Sequence, residues 1–146
     1  MKTAAINIII NENGETLFLL RKTKPFGWGL VGGKIEDSES AIDACIRETF
    51  EETGIQLTAD QIRLVGNDKS INENPLIIFE TILQYTPEVK INRAEHLNAK
   101  WIRVHKDQYA DNYTDEVRNM YVFAGRTLAI VSKEKKVSIP NANQYL

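Results

Sequence analysis

The stretch GGKIEDSESAIDACIRETFEETGI, residues 32–55, decides how the rest of the chain is read. Between Glu36 and Glu52 it carries seven carboxylates: Glu36, Asp37, Glu39, Asp43, Glu48, Glu51 and Glu52. Only Arg47 opposes them. Ser38 as N-cap, Glu39 in the first turn and Gly54 as the C′ stop predict a helix over 38–53. Ile42, Cys45, Ile46 and Thr49 then form its apolar stripe. At about 100° per residue, Glu48, Glu51 and Glu52 fall on one patch of that helix. Like charges four apart cost an isolated helix about 0.2–0.5 kcal/mol. Such a helix is either exposed and indifferent or built to hold cations. Three details favour the second reading. Arg47 is four residues before Glu51 and next to Glu48, so it can fix a carboxylate. Gly32-Gly33 lets bare backbone approach a ligand. Oxygen-only clusters are what Mg²⁺ or Mn²⁺ prefers.

The flanks read as strands. Thr3–Ile10 is an Ile-rich buried strand, Asn11–Gly14 a turn, and Glu15–Arg21 a second strand antiparallel to the first. Lys22–Gly29, with Pro25, Gly27 and Gly29, reads as an exposed loop, and Leu30-Val31 as a short strand running into the glycine pair. Ile62–Val65, Leu76–Gln84 and Ala99–Val104 are further strands. Thr114 caps a last helix reaching about Lys133, and Val137–Leu146 is a polar tail. No internal repeat or linker divides the chain, so residues 1–146 read as one domain of mixed strands and helices, with 137–146 as its tail.

Composition narrows the function classes. The 146 residues are enough for one real core. Lys+Arg number 18 against 20 Asp+Glu. No basic surplus exists for a generic nucleic-acid binder, and stable nucleic-acid binding is not expected. Cys45 is the single cysteine, which excludes an intrachain disulfide framework and fits a reducing compartment. The apolar run Ala4–Ile10 is too short to span a membrane and makes a poor signal peptide. A cytoplasmic protein without a membrane partner is expected; a homodimer is left open.

Gly33-(five residues)-Glu39-(seven residues)-Arg47-Glu48-Thr49-Phe50-Glu51-Glu52-Thr53-Gly54-Ile55 resembles the signature box of the Nudix hydrolases. Every charged and glycine position is matched, and Gly32 and Glu36 complete the common GGxxExxE opening. Thr49 stands where an aliphatic residue is usual, and Val31 where proline is. The resemblance implies an α/β (α+β) fold, an α/β/α sandwich on a mixed sheet, and MutT-like chemistry. Water attacks a phosphorus of a nucleoside diphosphate linked to a moiety X, with Mg²⁺ or Mn²⁺ neutralising charge and activating the water.

By the same resemblance Glu48, Glu51 and Glu52 ligate the metal, with the Gly32 carbonyl as a further ligand, and Arg47 orients Glu48. Gly33, Glu36, Glu39 and Gly54 shape the turns of the box. The general base is Glu48 or the later Glu95, which would also reach the metal. Arg21, Lys22 and Lys24 either meet phosphates or act as solubilising charges. Trp28 either stacks on a base or packs beneath the loop. His96 and His105 receive no role. Ser70, Ile71, Asn72 and Glu73 hold none of the marks of ADP-ribose or dinucleoside polyphosphate members. The rival reading is a catalytically inactive nucleotide sensor on the same fold, which usually loses box glutamates that this chain keeps.

Overall fold

The computed structural model describes residues 2–23, 27–69 and 74–102. Strand β1 (Ala4–Ile10) is the axis of a seven-stranded mixed sheet. Its period of two separates two apolar layers. Ala5 and Ile9 belong to the larger core cluster, while Ile8 packs with Leu76 and Ile78 on the other side. Strand β2 (Thr16–Arg21) follows a turn that Asn11 closes by accepting from the amides of Asn13 (3.0 Å) and Glu15 (2.9 Å). Gly14 takes the left-handed conformation there, with φ 74°. Strands β3 (Gly27–Gly29), β4 (Val31–Lys34), β5 (Ile62–Lys69), β6 (Pro75–Ile82) and β7 (His96–Ile102) complete the sheet among the described residues.

One edge of β1 is taken along its whole length by β6, in parallel. The other is shared: β4 runs antiparallel to Ala4–Asn7, and β2 joins only at Ile10↔Thr16. Strand β2 in turn carries β7 and β3. The sheet therefore opens between β4 and β2, and that gap is where the candidate site lies. Part of the expected loop over 22–29 is strand: Trp28 registers with Leu20. The expected helix at 114–133 and the tail at 137–146 lie outside the described residues. No helix among the described residues is long and apolar enough to cross a membrane.

Helix α1 (Ala41–Thr53) packs on β4 and β1. Its N-cap is Ser40, whose hydroxyl accepts from the Asp43 amide at 3.2 Å, and not Ser38. Ser38 has φ 67° and belongs to the preceding turn. Glu39 consequently lies before the helix. Arg47 holds it by two bonds, Nε to Oε2 at 2.7 Å and Nη2 to Oε1 at 3.0 Å. Glu39 also accepts from the Glu36 amide at 3.0 Å, so it closes the turn that leads into the helix. Gly54 ends α1 as expected, with φ 75° and its amide on the Phe50 carbonyl at 2.9 Å.

The expected stripe faces the core. Cys45 and Thr49 are buried, with Ile42 and Ile46 packed against the same cluster. Burial pushes the Cys45 thiol up to about 12, which marks it as an inert packing group. Thr49 has a partner that only the fold supplies. It accepts from the Asn7 side-chain amide at 3.1 Å, and Asn7 in turn accepts from the Thr81 hydroxyl at 2.9 Å. The polar break in β1 and the unusual threonine in the box are thus one buried hydrogen-bonded chain linking α1, β1 and β6.

Two outcomes are expected. Thr49→Val leaves the Asn7 amide unpaired in the core and should cost about 1–3 kcal/mol. Asn7→Leu/Thr49→Val/Thr81→Val, which removes every partner, should recover much of that loss. Urea midpoints measure both, and an unchanged midpoint in Thr49→Val would show that the chain contributes nothing. The Arg47 guanidinium, helped by the Glu36 amide, lowers the Glu39 carboxyl to about 2 from 4.5. A lowered native pKa gives stability that is present above about 4.5 and is lost as pH falls toward 2. Glu39→Gln should flatten that acid limb when unfolding is followed against pH.

Candidate functional site

The site is assembled from four pieces of chain that the topology brings to the gap between β4 and β2. The end of β2 supplies Arg21, β4 supplies Gly32 and Gly33, α1 supplies Glu48 and Glu52, and the turn into β7 and its first residue supply Glu95 and His96. Chain return beneath the helix makes the last of these possible. The Lys90 amide donates to the Thr53 carbonyl at 2.8 Å, and the Lys22 amide donates to the Glu95 carbonyl at 2.9 Å. Pairing of β7 with β2 then sets His96 opposite Arg21, at an irregularity in register.

Both glycines are dictated by close approach. A Cβ on Gly32 would run into the Ala5 carbonyl and stand 2.9 Å from Ile6 Cα. Its amide donates to Glu52 Oε1 at 2.7 Å. A Cβ on Gly33 would fall on the Glu48 carboxylate, 2.6 Å from Oε2. The glycine pair thus lets two helix carboxylates lie against the strand. The resemblance implies a role for the Gly32 carbonyl; the group engaged in this structure is the Gly32 amide.

The acidic groups are not equivalent. Glu52 is 5% exposed. Burial, with Glu48 and Glu95 adding negative charge, pushes its carboxyl up to about 8, against the Gly32 amide and Arg21, which favour ionisation. Glu48 is raised as well, chiefly by burial, although Arg47 donates to its Oε1 at 2.9 Å. Glu51 is 53% exposed and accepts from Arg47 at 3.1 Å. Arg47 Nη2 also donates to the Lys34 carbonyl at 3.1 Å.

A cleft of about 600 Å³ opens here, lined by Arg21, Glu48, Glu52, Glu95 and His96 among others. A smaller recess of about 170 Å³ adjoins it, sharing Arg21, Gly32, Glu52 and His96 and walled by Ile6, Leu19, Leu30 and Leu76. Ligand atoms of Glu52, Glu95 and His96 lie within 4.8 Å of one another. Arg21 Nε and His96 Nδ1 are buried and have no hydrogen-bond partner among the described residues.

Of the residues singled out in the sequence, the fold brings Arg21, Gly32, Gly33, Glu48, Glu52 and Glu95 to one cleft, with Glu36 at its rim. Glu36 pairs with Lys2 at 3.1 Å. Glu51 is held by Arg47 and is absent from the lining. Lys22 turns away, its Nζ donating to the Arg93 carbonyl at 3.3 Å. The Trp28 side chain, Lys24, His105 and 70–73 lie outside the described residues. His96, given no role from the sequence, is buried in the site with its Nε2 3.4 Å from Glu52 Oε2. Burial lowers its pKa, more than the neighbouring Glu95 raises it. The signal was its place after Glu95: β7 begins at His96 and not at Ala99, so the first inward side chain of the strand is this imidazole.

Comparison with known proteins agrees with the geometry. A Bacillus subtilis protein provisionally named 8-oxo-dGTP diphosphatase is 44% identical over 50 residues, 34% of this chain and 33% of that one. The chain thus spans about a third of that relative's length. The dihydroneopterin triphosphate diphosphatase of Escherichia coli is 28% identical over 112 residues, covering 65% of this chain and 73% of the relative. The crystal structure of the MutT protein from Methanosarcina mazei superimposes with a TM-score of 0.66 at 25% identity, over 92% of this chain and 95% of that one. The NUDIX domain model matches residues 1–122, and the chain belongs to the Nudix hydrolase family.

Proposed function

We propose that this chain is a divalent-metal-dependent pyrophosphohydrolase that cleaves a phosphoanhydride of a nucleoside diphosphate linked to X, with a nucleoside triphosphate as the first substrate to test. The observation that carries the reading is the convergence of Glu48, Glu52 and Glu95 on one cleft that also holds a buried arginine Nε with no partner among the described residues. The donor set fits a divalent cation: carboxylate oxygens from helix α1 and from the turn that leads into β7, drawn close together. The ion would be held by Glu52 and Glu95, with Glu48 as a further acidic ligand; Glu51 would have to leave Arg47 to join them. When bound, it supplies neutralisation of phosphate charge and a lowered water pKa.

The chain's own residues supply the remainder. Arg47 fixes Glu48, so that this carboxylate can take the proton of the attacking water at Oε2, the oxygen Arg47 leaves free. Arg21 Nε donates to a phosphate oxygen. The apolar walls of the recess give a planar group of the substrate a dry surface. The relatives' names point to triphosphates, which is why these come first. No observation favours the inactive sensor, since all box glutamates are present.

A panel of nucleoside triphosphates, oxidised nucleotides, dihydroneopterin triphosphate, nucleotide sugars and capped RNA should reveal hydrolysis that requires Mg²⁺ or Mn²⁺ and stops in chelator. Far-UV dichroism should survive chelation, because the core is built without the site. Glu52→Gln should lower kcat by at least ~10², roughly 3 kcal/mol of barrier. Wild-type turnover in that variant, or full activity after confirmed metal removal, would sink the reading.

Glu48 and Glu95 separate by rescue. A residue that mainly holds metal is partly rescued by more metal, whereas one that moves the proton is not. Glu48→Gln should stay crippled at saturating Mg²⁺. Glu95→Gln should lose about 10–10²-fold, at or below the low end for general-base removal, and recover in part. The reverse pattern would make Glu95 the base.

A further inference from the structure

His96 is the group in the site that the hydrolysis reading leaves without a task. Its side chain is 7% exposed, yet it lines both the cleft and the recess. Nδ1 has no partner among the described residues, and Nε2 faces Glu52 Oε2 at 3.4 Å. The bland interpretation is an ion pair with Glu52. The distance argues against it. A charge-assisted bond between these atoms should be about 2.7–2.9 Å. Even a neutral N–H···O bond is normally no longer than about 3.2 Å.

The two groups are near enough to share a cation, toward which they would close by a few tenths of an ångström. Adjacent donors on an octahedral cation with bonds of about 2.1 Å stand about 3 Å apart. Glu52 Oε1 is already occupied by the Gly32 amide, so Oε2 is the oxygen left for a ligand, and it is the one that faces the imidazole. Glu95 brings a second carboxylate within the same 4.8 Å group. A nitrogen of the buried His96 and two carboxylates are therefore gathered close enough to converge on one cation.

We propose that His96 is a metal ligand alongside Glu52 and Glu95, and that this nitrogen makes the site prefer a first-row transition dication over Mg²⁺. The proposal rests on the metal-dependent reading above. Its physical basis is donor chemistry: Mg²⁺ takes oxygen and keeps its waters, whereas first-row ions accept imidazole.

The test uses the full chain and Mn²⁺ as a paramagnetic probe. Free Mn²⁺ is followed by its solution spectrum with and without competing Mg²⁺, and pulsed spectroscopy on bound Mn²⁺ looks for coupling to an imidazole nitrogen. Histidine labelled with the heavy nitrogen isotope identifies the coupled atom as a histidine nitrogen, and labelled His105→Gln, which keeps His96 as its one histidine, assigns it. In the wild type a histidine nitrogen coupling is expected, together with tighter binding of Mn²⁺ than of Mg²⁺. His96→Gln should abolish the coupling and weaken Mn²⁺ roughly tenfold or more, with little change for Mg²⁺. Should His96→Gln fail to fold, the spectrum of labelled His105→Gln decides alone. Mn²⁺ that binds, is lost in Glu52→Gln and shows no nitrogen coupling would overturn the proposal while leaving the metal-dependent reading intact. Absence of any Mn²⁺ or Mg²⁺ binding would overturn both.

Discussion

Arg47 is the joint between the turn, the helix and the strand. A guanidinium offers five donors in a fixed plane, and this one places them on Glu39, Glu48, Glu51 and the Lys34 carbonyl. Without it, the helix would present several carboxylates to one another with no cation among them. With it, Glu39 is fastened to the turn, Glu48 is directed toward the cleft and Glu51 is kept at the surface. A lysine could not replace it, because a single ammonium cannot satisfy a two-point bond to Glu39 and still reach Glu48. The acidic box is tolerable because its charges are divided by one planar group.

A second constraint sits on the other side of the same carboxylates. Gly32 and Gly33 stand where any side chain would collide with β1 backbone or with Glu48. Helix and strand can therefore approach until Glu52 accepts a backbone amide in a nearly dry setting. The dry setting raises the cost of ionising Glu52, while the amide bond offsets part of that cost and fixes the carboxylate's orientation. The glycines thus serve the packing of the protein's own acids as much as any approach by a ligand.

Much of this was legible in residues 32–55. Gly54, the Cys45/Thr49 stripe and the glutamate pattern act locally, and local rules read them. The Asn11–Gly14 turn was legible for the same reason. What escaped were features decided by distant partners. Ser38 and Ser40 are both good caps; Arg47 draws Glu39 out of the first turn, and Ser40 takes the cap. Gly27–Gly29 has the composition of a loop, yet the edge of β2 makes it a strand. Thr49 looked like an isolated irregularity of the box because its partner, Asn7, lies 42 positions away. His96 was missed because its environment depends on the strand start and on pairing with β2, and its place after Glu95 was a local signal too weak to declare either.

The residues that hold the fold and those that form the site are largely different sets on the same helix. Cys45 and Thr49 look inward to the sheet, while Glu48 and Glu52 look along it to the gap beside β4. Burying the first set supplies the hydrophobic stabilisation. Burying the second opposes it, since a carboxylate in a dry site is costly unless it is neutralised or bonded. The chain accepts that cost at Glu52 and limits it with the Gly32 amide and Arg21. Such an arrangement has little reason to exist as packing alone, because an apolar residue at position 52 would bury more cheaply. The costly placement of an acid between a backbone amide, a second acid and an imidazole is understandable as a receptacle for a cation, whose charge turns the same repulsion into binding energy.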